Sequence, residues 1–183
     1  MKYSVMVEYA LHSLVYLIDV PKNESIGIKD LSEFQGLSET YLSKVLGKLS
    51  KEGIVSSVSG VKGGYRLNRK PEDITFWDVV RAVEGEDPIF QCKNIKANFA
   101  YQNKKQKCES CSSQSNCTIN SVMLEAEEHM RNYLRSKTIA WLEEELLRTL
   151  PKEQIEEDKK FFKKQIDNLN RIILDVCKFG LPE

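Results

Sequence analysis

Apolar residues recur at three- and four-residue steps from the start of the chain. Val7, Leu11, Leu14, Val15 and Ile18 form one stripe and predict a helix over residues 2–20. Pro21, with Lys22 and Asn23, closes it. A short second helix is predicted from Ile28 to Phe34, ending at Gly36, and Ser38 is a suitable N-cap for a third. In that third helix Tyr41, Leu42, Val45, Leu46 and Leu49 make the buried stripe, and Gly53 supplies the end. The pattern then changes period. IVSSV, the turn SGVKGG and YRL predict a β-hairpin. Pro71 breaks the chain, and Thr75 opens a fourth helix through Val83, stopped by Gly85.

From Glu86 to Asn116 the sequence is polar and weakly periodic, which predicts a loop. Met123, Met130, Leu134, Ile139, Leu142 and Leu146 then predict one long helix from about Ile119 to Leu147. Pro151 opens a last helix to about Lys178. Its apolar residues Ile155, Phe162, Ile166, Leu169, Ile173 and Val176 follow a heptad and suggest packing against a partner helix. The expectation is a mainly α chain: a winged helix-turn-helix with a small β-hairpin wing, a long dimerisation helix and a C-terminal helix. Its regions divide at 1–85 (winged helix-turn-helix), 86–117 (cysteine-bearing loop), 118–150 (dimerisation helix) and 151–183 (C-terminal extension).

Composition changes this picture in two places. The 27 basic residues balance the 27 acidic ones, yet from Tyr41 to Lys70 seven basic residues face Glu52 alone, a local net of +6. Such a patch suits a phosphate backbone. A helix, a turn and a second helix place the second helix in a major groove. Ser38, Glu39, Thr40, Tyr41, Ser43 and Lys44 are therefore candidates for base contacts. Lys48 and the wing residues Lys62, Gly63, Gly64 and Tyr65 are candidates for the backbone, the glycines permitting close approach. The start of the chain is apolar but contains Glu8 and His12 and no cleavage site, and no run reaches the length of a membrane span. A cytoplasmic protein is expected.

The second place is the cysteines at 92, 108, 111, 117 and 177. Clustered thiols in a reducing compartment are metal or redox ligands more often than disulfides. Cys92, Cys108, Cys111 and Cys117 suit either a tetrahedral zinc or an iron–sulfur cluster completed from elsewhere. Glu8 and His12, four residues apart, share one helix face and could bind one iron together, although a plain surface pair has the same spacing. No HExxH motif, phosphate loop or nucleophile–base constellation suggests an enzyme.

Four segments carry a resemblance: MKYSVMVEYALHSLVYL, LSETYLSKVLGKLSKEGIVSSVSGVKGGYRL, ITFWDVVRAVEG and CTINSVMLEAEEHMRNYLRSKTIAWL. Over residues 1–147 the chain resembles the Rrf-two family of winged-helix iron–sulfur regulators, typified by IscR, NsrR and RsrR. The resemblance implies a homodimeric transcription factor on a palindromic operator in double-stranded DNA, paired through residues 119–147. Cys111 and Cys117 keep the last spacing of the family's three-cysteine loop, while Cys92 stands apart from it. VEYALH, PIFQC and CTINSV are most similar to the RsrR branch. That likeness implies a 2Fe–2S cluster on Glu8, His12, Cys92 and Cys117, with Cys108 and Cys111 as less certain ligands, and a repressor sensing redox state or nitric oxide. The alternatives are a clusterless thiol-switch or metabolite-responsive repressor, and a zinc-stabilised regulator.

Overall fold

The computed structural model describes residues 3–60, 63–93 and 117–179, with side chains up to residue 167. Lys62, Cys108 and Cys111 lie outside the described residues, as does the side chain of Cys177. In order the elements are α1 (Val5–Tyr16), α2 (Ile28–Gln35), α3 (Glu39–Lys51), β1 (Val55–Val58) and β2 (Gly64–Leu67), a short 3-10 turn Pro71–Asp73, α4 (Phe76–Glu84), α5 (Thr118–Arg135), α6 (Ile139–Thr149) and α7 (Lys152–Phe179). They fall into two compact units, one of residues 86–134 and one of residues 2–85 with 135–183.

In the larger unit α1, α3 and α4 pack on one another around a core that follows the predicted stripes. Leu14, Leu42, Val45, Leu46, Leu49 and Val79 are fully enclosed. Removing such side chains from water contributes about 1.5–3 kcal/mol each. Polar stitches fix the register. Ser13 on α1 donates to the Tyr9 carbonyl at 2.7 Å and accepts from Gln35 Nε2 of α2 at 3.0 Å. Glu84 at the end of α4 accepts from Ser4 N and Oγ at 2.8 and 2.6 Å, holding the start of α1. Thr75 and Asp78 form a reciprocal capping box that starts α4 where the sequence places it.

The wing is antiparallel, Val55 facing Leu67 and Val58 facing Gly64. A third strand of one residue joins it. Ile26 and Tyr65 exchange both backbone hydrogen bonds, at 3.0 and 2.8 Å. Gly64 is required by this contact, since a Cβ there would stand 2.3 Å from the Ile26 carbonyl oxygen. The close approach that the glycine permits is therefore to the protein's own backbone.

The single helix expected over 119–147 is two helices. Thr138 caps α6 by accepting from Trp141 N at 3.1 Å. The intervening residues pair instead with the strand-like segment before α4, through Phe76 N to the Lys137 carbonyl at 2.8 Å and Ile139 N to the Ile74 carbonyl at 2.9 Å. These bonds cannot coexist with a helix running through 136–138, and they bury Ile139 completely. Helix α7 forms where expected, and its first half packs on its own chain. Phe162 lies 5.3 Å from Tyr16 and 4.7 Å from Phe34 between ring centroids, Phe161 lies 5.1 Å from Phe34, and Lys159 pairs with Asp19 at 3.0 Å.

In the smaller unit the segment after α4 is tied to α5. Glu127, buried on α5, accepts the Ile89 amide at 3.0 Å and pairs with Arg131 at 2.5 Å. Arg131 also donates to the Glu86 carbonyl at 3.4 Å.

Candidate nucleic-acid interface and sensor residues

Helix α2 ends at Gly36 in the left-handed region, φ 65°, which only glycine adopts at little cost. The chain then turns sharply, and Ser38 accepts from Tyr41 N at 3.3 Å to start α3. Ser38, Glu39, Thr40, Ser43 and Lys44 are all exposed, as groups that touch base edges must be. Tyr41 is half-buried, its ring edge-on to Tyr9 of α1 at 5.7 Å. It couples α3 to α1 besides facing the helix start. Gly63 and Tyr65 are half-buried in the wing.

Several cations of the basic patch also bind the chain itself. Lys48 donates to the Val83 carbonyl at the end of α4, where a cation also complements the helix dipole. Arg66 donates to the Lys22 carbonyl and to Ser56 Oγ, and Arg69 to Asp73 and Asp78. Among the described residues Lys44, Lys48, Lys51 and Lys70 are exposed. Sequence reasoning passed over Gly47. It stands in the middle of α3, on the face shared by Thr40, Ser43 and Lys44, and a Cβ there would meet nothing within 4 Å. A mid-helix glycine costs about 1 kcal/mol against alanine, and no packing among the described residues requires it.

The four ligand candidates form two pairs. Glu8 and His12 are both exposed on α1, one turn apart, with the His12 ring stacked on Tyr16 at 6.4 Å. Cys92 and Cys117 are half-buried in the smaller unit. Cys92 follows the segment held by Glu127. Cys117 stands at the start of α5, its carbonyl accepting from Ser121 N at 2.9 Å, where the unsatisfied amides of a helix favour negative charge. Among the described residues of one chain, no three His, Cys, Asp or Glu side chains gather as a metal site. The donor types nevertheless suit iron: two thiolates for one atom, a carboxylate and an imidazole for another. Among the described residues no helix is long and apolar enough to cross a membrane.

Residues 3–145 match the Rrf2 (Rrf-two) family, described as iron-dependent transcriptional regulators. The Lactococcus lactis protein YffB is 31% identical over 146 residues, covering 79% of this chain and 88% of its own length. The regulator NsrR of Bacillus licheniformis is 34% identical over 98 residues, 54% of this chain and 68% of NsrR. Among solved structures, CymR of B. subtilis, the global cysteine regulator, superposes with a TM-score of 0.57 at 22% identity, over 79% of this chain and 97% of CymR. The oxidised form of Staphylococcus aureus CymR gives 0.54 at 26%, over 79% and 97%. IscR of T. potens gives 0.56 at 24%, over 83% and 93%. With its helix-turn-helix, its wing and this match over most of its length, the chain belongs to the Rrf2 family and is a winged-helix transcriptional regulator rather than an enzyme.

Proposed function

We infer that the protein is a homodimeric cytoplasmic repressor that binds a palindromic operator and senses redox state or nitric oxide through a 2Fe–2S cluster. Glu8, His12, Cys92 and Cys117 would hold the cluster, with Cys108 and Cys111 as further thiols near it in sequence. One observation carries the reading: Glu8 and His12 project from the exposed face of α1, the helix that packs against α3. A bound cluster supplies reversible one-electron chemistry and a charge that changes with it. The residues of this chain do the rest. The Tyr9–Tyr41 contact transmits a displacement of α1 to the start of α3, and the two recognition helices of a dimer must match half-sites about one DNA turn apart. Dimerisation through α5 is supported by its uncovered apolar residues, Ile119, Val122, Met123 and Tyr133. Gly47 suits close approach of a phosphate backbone to α3.

The test is the anaerobic visible spectrum of freshly prepared protein, with iron, sulfide and zinc quantified. Charge-transfer absorption with equal iron and sulfide is expected, and Glu8→Ala should shift or abolish it. An unchanged cluster and redox response in that variant would remove Glu8 from the ligand set. A thiol switch is the second reading, favoured by the likeness to oxidised CymR and by Cys117 at a helix N-terminus. It predicts a colourless protein whose DNA affinity changes on reversible thiol oxidation. One zinc per chain would instead indicate a structural thiolate site.

A further inference from the structure

Helix α7 encloses space as well as packing. Between the end of α1, α6 and α7, all in the larger unit, lies a cavity of about 670 Å³. That volume is within the range of small-molecule sites, roughly 300–1,000 Å³. Its apolar wall is made by Val15, Leu146, Leu150, Ile155 and Phe162, with the Tyr16 ring beside Phe162. Its charged groups are mostly of one sign. Asp19, Glu24, Glu143, Asp158 and Asp167 line it against Lys159 and Lys163. Five carboxylates against two ammonium groups leave a net of −3; with the Lys159–Asp19 pair set aside, four carboxylates face Lys163.

We propose that this cavity is a binding site for a lipophilic organic cation: an apolar body with a quaternary or protonated nitrogen, or an equivalent onium centre. The apolar wall would bury the body and the carboxylates would neutralise the charge. Burial, reinforced by Asp19, holds the Glu143 carboxyl above its ordinary value, and burial with Glu157 does the same for Asp158. An arriving cation would relieve both. The occupant would touch α1, which packs on α3, and α7, whose Phe161 and Phe162 pack on Phe34 of α2. The site goes beyond the cluster reading and does not require it, although His12 also lines the cavity.

Calorimetric titration of the full, iron-free chain with tetraphenylphosphonium and tetraphenylborate decides the matter, since the two probes share shape and differ in sign. The expected result is saturation by the cation at one site per chain, with the anion at least about tenfold weaker, a difference of about 1.4 kcal/mol. Glu143→Gln combined with Asp158→Asn should weaken the cation about tenfold without lowering the melting temperature. Ile155→Trp should fill the space and abolish uptake. Equal affinity for both ions, or cation affinity unchanged in the double variant, overturns the proposal. So does failure of the cation to saturate, as expected if a second copy of the chain closes the cavity. Because the titration uses iron-free protein, its failure leaves the cluster reading intact, and the converse also holds.

Discussion

Helices α3 and α5 are both amphipathic, yet they dispose of their apolar residues in opposite ways. Leu42, Val45, Leu46 and Leu49 of α3 are wholly enclosed by the chain itself. The buried residues of α5 are polar, Asn120 and Glu127, whereas Ile119 is 65% and Tyr133 64% exposed. An apolar stripe facing water along a helix marks a surface that awaits a partner. The contrast teaches that hydrophobic periodicity predicts a helix without saying whose core it completes.

Matched truncations would break or sharpen this comparison. Leu46→Ala should cost about 3 kcal/mol, read as a lower urea midpoint that is independent of protein concentration. Ile119→Ala should barely change monomer stability, but should raise the dissociation constant of the proposed dimer in sedimentation equilibrium. If Ile119→Ala instead behaves like Leu46→Ala, α5 belongs to the chain's own core. The next largest effect falls on Glu127→Ala, which removes a charged partner from both the Ile89 amide and Arg131. About 2 kcal/mol should be lost locally, and hydrogen exchange at Ile89 should speed up while amides of α3 stay protected. Equal acceleration in both regions would show the two units to be one cooperative body.

Gly47→Ala should do two opposite things: stabilise α3 by up to about 1 kcal/mol and weaken DNA binding in a fluorescence anisotropy titration. Undiminished binding would remove Gly47 from the interface. The smallest effect concerns Glu143, whose carboxyl is raised above 4.5 first by burial and then by Asp19, with Glu144 and Glu72 adding to the rise and Lys159 opposing it. Its protonated form is favoured in the folded state. Its contribution is therefore full below the ordinary carboxylate value and is lost as pH rises through the raised one. Glu143→Gln should raise the melting temperature slightly at neutral pH, the gain vanishing on acidification. A gain that persists in acid would have another cause.

The helix-turn-helix was legible because each of its signals is local: a stripe, a glycine turn, a serine cap. The break at 136–138 was not, although the step from Leu134 to Ile139 is five residues, longer than the three or four of a helix face. What stops the helix is pairing with Ile74 and Phe76, more than sixty residues earlier. The bonds made by the basic patch were hidden for a related reason, since charge is visible in a sequence and the bond from an arginine to a distant carbonyl is not. Gly64 was recognised as permitting a close approach, but its partner at Ile26 was invisible. The cavity was beyond reach altogether, its walls coming from separate stretches of the chain, 12–26 and 143–167. Cys108 and Cys111 keep only the reading their sequence gives them.

The one-residue strand at Ile26 has a mechanical consequence. It ties β2 of the wing, near the hairpin turn, to the connection between α1 and α2, so the wing and the helix-turn-helix are joined as one part. Under the proposed sensing at α1, a signal would re-aim that part rather than reshape it. Two such parts in a dimer would be tuned like the jaws of a caliper, by their separation. Operators altered in half-site spacing should therefore respond to the signal more strongly than operators altered in half-site sequence.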